Sequence, residues 1–523
     1  MVWTMAEETQ PAEARRAGSP GWWRVRPSFL SVAALAVAVA LVAWLSSRWS
    51  GGPPLRGRNR IVLAVIPFEN ASGEAEQDYW SDGLTDEVIA QLGSAAPGQL
   101  TVIGPATAAH YKRSRKGIAD IGRELGADFI LKGSLRRSGN RMRVAVDLLA
   151  VGEPGPLWSA AFEREDREVQ QLESELGRAV ARRIRLEYGS GAWPAEPRPT
   201  RSPGHVQPEA YSLYLKGRAL AKPRTPDGLR RGLALFGQAV ALDPQLAAVH
   251  RGLAETQLVL ALDELLPPRE ILDKARKEIE TALHLDDASA EAHGVNAMVR
   301  LYANGDFSGA EREFRLALTL NPGETVARYR FGYHCLRGQD RGDDALTEVR
   351  RALATDPLAI PAKLALADLL IDANQAQEAV ELCRSVLAID ATNPAVYLVQ
   401  GAAFEDLGAF EEATAAFETA DRLSPDHPGA LLEVARLQAL TGRGQEARKT
   451  LARALPSDYR YAPPIRLARL LLALGENERA LQVLERAYAE RAVALPLLAR
   501  DSRFEALRAS PRFRKLLKPP PPA

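Results

Sequence analysis

The spacing of apolar residues changes twice along this chain. Residues 29–45, FLSVAALAVAVALVAWL, form an apolar run whose only polar member is Ser31. As a helix this run spans roughly 26 Å at about 1.5 Å per residue, a little under the ~30 Å hydrocarbon core of a bilayer. Residues 61–189 then mix periods of two and about 3.6. IVLAVIPF at 61–68 is a continuous apolar run closed by proline, as a strand buried on both faces would be. Leu84, Val88 and Leu92 mark one helical face, 100–103 a short strand, and Ile118, Ile121 and Leu125 a second helix closed by Gly126. Residues 129–136 and 141–149 form a predicted hairpin across Ser138-Gly139-Asn140. In its second arm Met142, Val144, Val146 and Leu148 alternate with Arg141, Arg143, Ala145 and Asp147, so one face is buried and one wet. Leu157-Trp158 opens a last strand, and Leu172, Leu176, Val180 and Ile184 a last helix. That order predicts a small α/β domain with a mixed sheet.

Residues 190–207 are rich in proline, glycine and serine and are expected to form a linker that decouples what lies on either side. Beyond it the strand signals stop and a repeat begins. Gly232, Ala275, Ala310, Ala345, Ala379, Ala413, Ala447 and Ala480 follow one another at gaps of 43, 35, 35, 34, 34, 34 and 33. Turn signals such as Asp243-Pro244, Asn321-Pro322, Asp356-Pro357 and Ser424-Pro425 close the units. In the clearest unit, Tyr397, Gly401 and Phe404 fall on a first helix, and Ala413, Phe417 and Ala420 on a second. Small residues let helices approach and large ones fill the groove between them, so stacked pairs build one continuous core. Residues 262–268 are an insertion in the second unit.

Tryptophans 22, 23, 44 and 49 flank the run at 29–45, where interfacial aromatics belong. The run reads as an uncleaved signal anchor, with a cleaved signal peptide as the rival. Arg15, Arg16, Arg24 and Arg26 precede it, and Arg48, Arg56, Arg58 and Arg60 follow, so charge leaves the orientation tied. Residues 1–28 are polar and read as a disordered tail, and 496–523 as a C-terminal cap and tail.

The repeats, over residues 208–495 and about eight in number, resemble the tetratricopeptide family in period and in the small/aromatic/small pattern. The α/β domain resembles the TolB amino-terminal-like (FlgO-like) domain. The matching residues are Ile66-Pro67-Phe68-Glu69-Asn70, Ser72-Gly73, Tyr79, Asp82-Gly83-Leu84-Thr85, Ile121-Gly122, Glu124-Leu125-Gly126, Gly133-Ser134, Gly139 and Leu157-Trp158. Asp501, Phe504, Leu507-Arg508, Pro511-Arg512-Phe513 and Leu516-Leu517 resemble the closing motif of bacterial chains with this pairing. In such chains the pair follows a membrane span that is preceded by a cytoplasmic effector, for which residues 1–28 have no room. The resemblance implies an N-terminus inside and the bulk outside the cytoplasm, in the inner membrane of a bacterium with a single pass. The expected fold class is thus mainly α: a tetratricopeptide-type solenoid, preceded by a small α/β domain and one transmembrane helix.

Charge and motifs narrow the chemistry. The 523 residues are 46% apolar and 25% charged, with a formal net charge of +1, which removes the basic excess of a nucleic-acid binder. Cys335 and Cys383 make neither a disulfide framework nor a metal pair. His110, His205, His250, His284, His293, His334 and His427 form no HExxH or paired ligand spacing, and phosphate loops and nucleophile elbows are absent. Asp82 and Asp86 share a helical face but sit near a helix start, and Lys112-Arg113-Ser114-Arg115-Lys116 reads as a solvated loop. No catalytic, cofactor or metal site is expected, and the chain is not expected to be an enzyme.

The remaining candidates lie on first helices, in the groove of the repeats: Tyr302, Arg330, His334, Arg337, Asp368, Asp372, Arg436 and Arg469. Arg330, His334 and Arg337 share a face and suit an acidic segment or a C-terminal carboxylate. Arg330 is expected to face the open groove, where truncation changes stability little. The expected partners are other proteins or peptides in the groove and the bilayer at 29–45, with no nucleic acid. The expected function is an anchored, extracytoplasmic interaction scaffold or sensor. The alternative is an α/β domain that reads a small molecule or nucleotide and passes its state to the repeats.

Overall fold

The computed structural model describes residues 60–188 and 205–517, apart from 97, 113, 426, 456–461, 491–497 and 499–500. The expected tail at 1–28, span at 29–45 and most of the 190–207 linker lie outside the described residues. Among the described residues no helix is long and apolar enough to cross a membrane.

Among the described residues, six strands and four main helices make the α/β part. The strands are β1 (Ile61–Val65), β2 (Glu69–Asn70), β3 (Leu100–Val102), β4 (Phe129–Ser138), β5 (Arg141–Ala150) and β6 (Pro156–Glu165). The helices are α1 (Asp78–Ala95), α2 (Pro105–His110), α3 (Ile118–Leu125) and α4 (Val169–Tyr188). The sheet runs β3-β1-β4-β5-β6, with β2 paired to β4. β1 is parallel to both neighbours, whereas β4, β5 and β6 are antiparallel. β1 is apolar throughout because both its faces are covered: Leu63 and Val65 meet a core that includes α1 and α4, and Ala64 packs with Ile121 of α3. In β5, Met142, Val144, Val146 and Leu148 are buried and Arg141 and Arg143 exposed, as the alternation requires.

Eight helix pairs follow, each a first and a second helix: α5/α6 (Pro208–Ala221, Pro226–Leu242), α7/α8 (Ala247–Leu262, Pro268–Leu285), α9/α10 (Ala290–Asn304, Phe307–Leu320), α11/α12, α13/α14 (Ile360–Asp372, Ala376–Leu387), α15/α16 (Pro394–Asp406, Phe410–Leu423), α17/α18 (Gly429–Leu440, Gly444–Ala454) and α19/α20 (Pro464–Ala473, Asn477–Ala489). α11 begins at Thr325–Arg330 and widens into a π turn at Phe331–Leu336, and α12 is Gly342–Thr355. A short cap helix, α21 (Pro511–Leu516), packs Phe513 on Phe504. The alanines at 275, 310, 345, 379, 413, 447 and 480 are all fully buried on second helices. Opposite them a first-helix glycine meets a ring: a methyl group on Gly401 would lie 2.5 Å from Phe417, and one on Gly217 2.6 Å from Phe236. One apolar cluster runs from Leu229 to Ala403. The widest sequence gap, 43, includes the residue 263–267 loop between α7 and α8.

Three pairs share a staple. On α7, His250 Nδ1 lies 2.6 Å from Glu278 of α8, and Nε2 3.0 Å from the Pro244 carbonyl. On α9, His293 Nδ1 lies 2.7 Å from Glu313 of α10, and Nε2 3.0 Å from the Asp287 carbonyl. On α11, Arg328 donates to Glu348 of α12 at 2.8 Å and to the Pro322 carbonyl at 2.7 Å. In each case a nitrogen-bearing side chain ties the preceding turn to the second helix of its own pair.

The α/β part and the repeats are not decoupled, contrary to the expectation from the proline-rich segment. They share a core. Trp80 of α1 packs at a tilt against Tyr211 (5.6 Å between ring centres), Tyr211 against Tyr214, and Tyr214 against Phe236. Tyr79 and Ser212 hydroxyls lie 2.9 Å apart, and the Tyr211 hydroxyl donates to Glu173 of α4 at 2.5 Å. A methyl group on Gly83 would lie 2.5 Å from Leu215, so glycine sets the approach of α1 to α5. A second seam lies further along the array. The buried Asp356 carboxylate caps α2, accepting from the backbone of Ala106 (3.1 Å) and Thr107 (2.7 Å) and from the Thr107 hydroxyl (2.5 Å).

Asp356→Ala should therefore destabilise the whole unit by about 1–3 kcal/mol, the cost of leaving buried donors unpaired. Urea denaturation followed on both α/β and repeat probes should show one transition, shifted for both. A shift confined to the repeats would contradict the shared core.

The staples give a pH dependence. For His250 the bond to Glu278 outweighs burial, and for His293 burial is outweighed by the bonds to Glu313 and the Asp287 carbonyl, so both pKa values rise. A histidine raised in the fold contributes stability that is complete below the unfolded value of about 6.5 and is lost as pH climbs through the folded value. His334 and His427, lowered by burial, act in the opposite sense, so the staple is read as a difference: the stability lost in His293→Gln should be larger at about pH 6 than at about pH 8 in urea denaturation. A loss that does not change with pH would sink the assignment.

Candidate functional site

All eight groove residues fall on first helices or, for His334 and Arg337, on or directly after the π turn that continues one. The fold brings several of them together, mostly by pairing each first helix with the next. The Tyr302 hydroxyl lies 2.6 Å from His334 Nδ1. Burial, with Arg330 and Arg337 nearby, pushes His334 well below its ordinary pKa, so the ring is neutral and Nδ1 accepts from the tyrosine. Arg337 grips Asp372 with two bonds, 2.6 and 3.0 Å, and lies 4.8 Å over the Tyr333 ring. The Tyr333 hydroxyl donates to Asp368 at 2.6 Å. Arg436 donates to Glu405 and to Glu433, each at 2.7 Å. Arg469 donates to Asp501 at 2.6 Å.

Arg330 does not stand open in the groove. It is 5% exposed and pairs with Glu255 of α7 at 3.0 Å. The trio Arg330, His334 and Arg337 is therefore no free cationic cluster: one member is neutral and the other two are matched by carboxylates. The reason is curvature, which turns first helices inward until charges one repeat apart, as for Arg337 and Asp372, or two, as for Arg330 and Glu255, meet.

Sequence reading missed Glu255, Tyr333, Glu405, Glu433, Arg466 and Asp501. The repeat period held a signal for one of them, since Tyr333 and Asp368 are 35 apart, as are Arg337 and Asp372. Elsewhere Asp82 pairs with Lys112 and Lys116 with Glu124 inside the α/β part, while Asp86 of α1 pairs with Arg218 and Lys222 at the end of α5 and so ties the two parts together. Cys335 and Cys383 are buried free thiols. Among the described residues no group of three or more His, Cys, Asp or Glu side chains is placed to hold a metal ion.

This geometry defines a class, a tetratricopeptide-type interaction scaffold whose array carries a docked α/β domain. Comparison with known proteins agrees on the repeats. A family model described as "Tetratricopeptide repeat" matches residues 336–403 and 406–463. Residues 59–178 match one described as "HilA/YgeH-like transcriptional regulator, second domain". That description of the α/β domain differs from the TolB amino-terminal-like resemblance. Putative adenylate cyclase 3 of Rhizobium meliloti (strain 1021) is 28% identical over 214 residues, 41% of this chain and 35% of that protein. Transcriptional regulator HilA of Salmonella typhimurium (strain LT2) is 22% identical over 307 residues, 58% of this chain and 52% of that protein. The chain thus spans about half or less of the curated relatives it matches. Among solved structures, YrrB, a TPR protein with an unusual peptide-binding site, is 21% identical over 38% of this chain and 95% of its own, with a TM-score of 0.25.

Arg436 tests whether the inward face is built or merely lined. Its side chain is 3% exposed, between Glu433 at 5% and Glu405 at 18%. Arg436→Met strands buried carboxylates and should cost about 3–5 kcal/mol. Arg384→Ala, at an exposed i,i+3 pair with Glu381, should stay within about 0.5 kcal/mol. Similar losses in chemical denaturation would mean that the inward face has been misassigned.

Proposed function

We propose that this chain is a membrane-anchored regulatory scaffold that presents the inward face of its repeats to a protein partner. One observation carries this reading: the run of mutually paired, mostly buried tyrosines, arginines and carboxylates along first helices from Glu255, ending at Asp501 beyond the last pair. Such a surface is expensive to build and adds little stability over an apolar one. It recognises a partner that can exchange hydrogen bonds with it, which a peptide does. The guanidiniums are already matched by carboxylates, which argues against a polyanionic nucleic acid at this face.

The anchor is residues 29–45, with the bulk of the chain outside the cytoplasm. The α/β domain acts as the regulatory element, and its shared core with α5 and α6 transmits its state to the repeats. The names of the relatives, a transcriptional regulator and a putative cyclase, support a signalling role.

A photocrosslinking amino acid at Asp372, in native membranes, tests the reading. Asp372 should give discrete protein adducts, the exposed second-helix position Glu412 should give none, and the adducts should resist carbonate extraction. Equal labelling from both positions would remove the scaffold, and adducts released by carbonate would remove the anchor.

A further inference from the structure

The array is closed upon itself by the loop at residues 263–267. This loop leaves the end of α7 and reaches the seventh and eighth helix pairs. The Asp263 carbonyl accepts from His427 Nε2 at 3.0 Å, just before α17. His427 Nδ1 in turn accepts from the Gly429 N–H at 3.2 Å, which fixes the tautomer. The Asp263 carboxylate holds Arg224, at the end of the first pair's opening helix, at 2.8 Å. Just past the loop, the Arg269 N–H donates to the Glu490 carbonyl at 3.1 Å, at the end of α20. Glu264 sits at φ +55, a left-handed conformation that a non-glycine residue adopts at a cost.

Glu264 points into an arginine cluster. Arg466 lies 3.2 Å from Glu433 and 3.8 Å from Glu264. Arg469 and Arg503 both hold Asp501, at 2.5 and 2.7 Å, and Arg436 holds Glu405 and Glu433. Four guanidiniums therefore face four carboxylates, and Glu264 is the only carboxylate among them that comes from the front half of the array. Without it, Arg466 is left to share Glu433 with Arg436 and Arg469. The fit of Glu264 is nevertheless poor. The contact is long, the backbone is strained, and burial raises its carboxyl pKa more than Arg466 and Arg469 lower it. The sequence there, Asp263-Glu264-Leu265-Leu266-Pro267, is a short acidic-apolar peptide whose Leu266 is 37% exposed.

We propose that the residue 263–267 loop is a built-in pseudo-ligand: it occupies the site formed by Arg466 and Arg469, and an acidic segment of a partner protein displaces Glu264 from it. The occupied array is closed, and the partner opens it by replacing an imperfect internal carboxylate with a better-placed external one. This rests on the scaffold reading, and names the chemistry of the partner and the contact that holds it off.

The test uses the full chain in mild detergent and a fluorescein-labelled peptide with the sequence of residues 260–269. Glu264→Gln keeps the side chain's size and removes its charge. In this variant backbone hydrogen exchange at residues 263–266 and 427–433 should quicken about tenfold, as a latch that no longer holds the closed form would allow. Fluorescence anisotropy should show the peptide binding at least about fivefold more tightly than to the wild type, and less tightly at high salt. Adding Arg466→Ala to the variant should abolish the gain. Unchanged exchange would overturn the latch. Peptide affinity equal in wild type and variant, or indifferent to Arg466, would overturn the pseudo-ligand. Both readouts are independent of the Asp372 crosslink, so a failed scaffold and a failed latch give different results.

Discussion

The distance at which helices meet governs this structure. On seven of the eight second helices an alanine is fully buried where a first helix crosses, and the opening pair uses Gly232 in the same place. A larger side chain there forces the pair apart, and overpacking of this kind costs about 1–3 kcal/mol at one position. Close approach fixes the tilt of each pair on the next, and the accumulated tilt curves the array. Curvature then decides which side chains meet. Residues about one repeat apart on first helices come within hydrogen-bond reach, and polar groups that would be solvated on a straight stack must find partners.

The same constraint recurs where the α/β domain docks. Gly83 admits Leu215, and a methyl group on Gly93 would lie 2.6 Å from Asn321. Asn321 and Asp356 are the residues before the prolines that end second helices. They terminate a helix and also supply polar side chains at the surface of the stack, and the α/β domain uses both. Binding at successive repeat boundaries splints the array, so bending between those repeats requires the domain to move.

Much of this was legible in the sequence, for identifiable reasons. Period-two alternation in Arg141–Ala150 and the doubly covered apolar run of Ile61–Val65 are signals that local burial imposes, and the strands lie where those signals fall. The alanine spacing marked the helix pairs because each contact is between near neighbours in sequence. What failed depended on curvature and on docking. Arg330 sits on the predicted face, yet its partner Glu255 is 75 residues away, on a helix two pairs back. No local pattern predicts that meeting. The proline-rich stretch suggested separation because composition reports on the connecting chain, and it carries no information about the surfaces it joins. Trp80, Tyr211 and Tyr214 are ordinary core aromatics by sequence, and only the fold shows that they belong to one core.

The loop at residues 263–267 changes how this array comes into being. An open stack of repeats has mostly local contacts and can form progressively as the chain is made. Here His427 meets Asp263 across 164 residues, and Thr107 meets Asp356 across 249. At about 5–20 residues per second, residue 107 leaves the ribosome roughly ten seconds to a minute before its partner. The face of α1 around Trp80 stands uncovered until Tyr211 and Tyr214 follow, and the start of α2 until Asp356 does. The order of synthesis therefore leaves the nascent chain with a sticky surface until its own later repeats arrive to cover it.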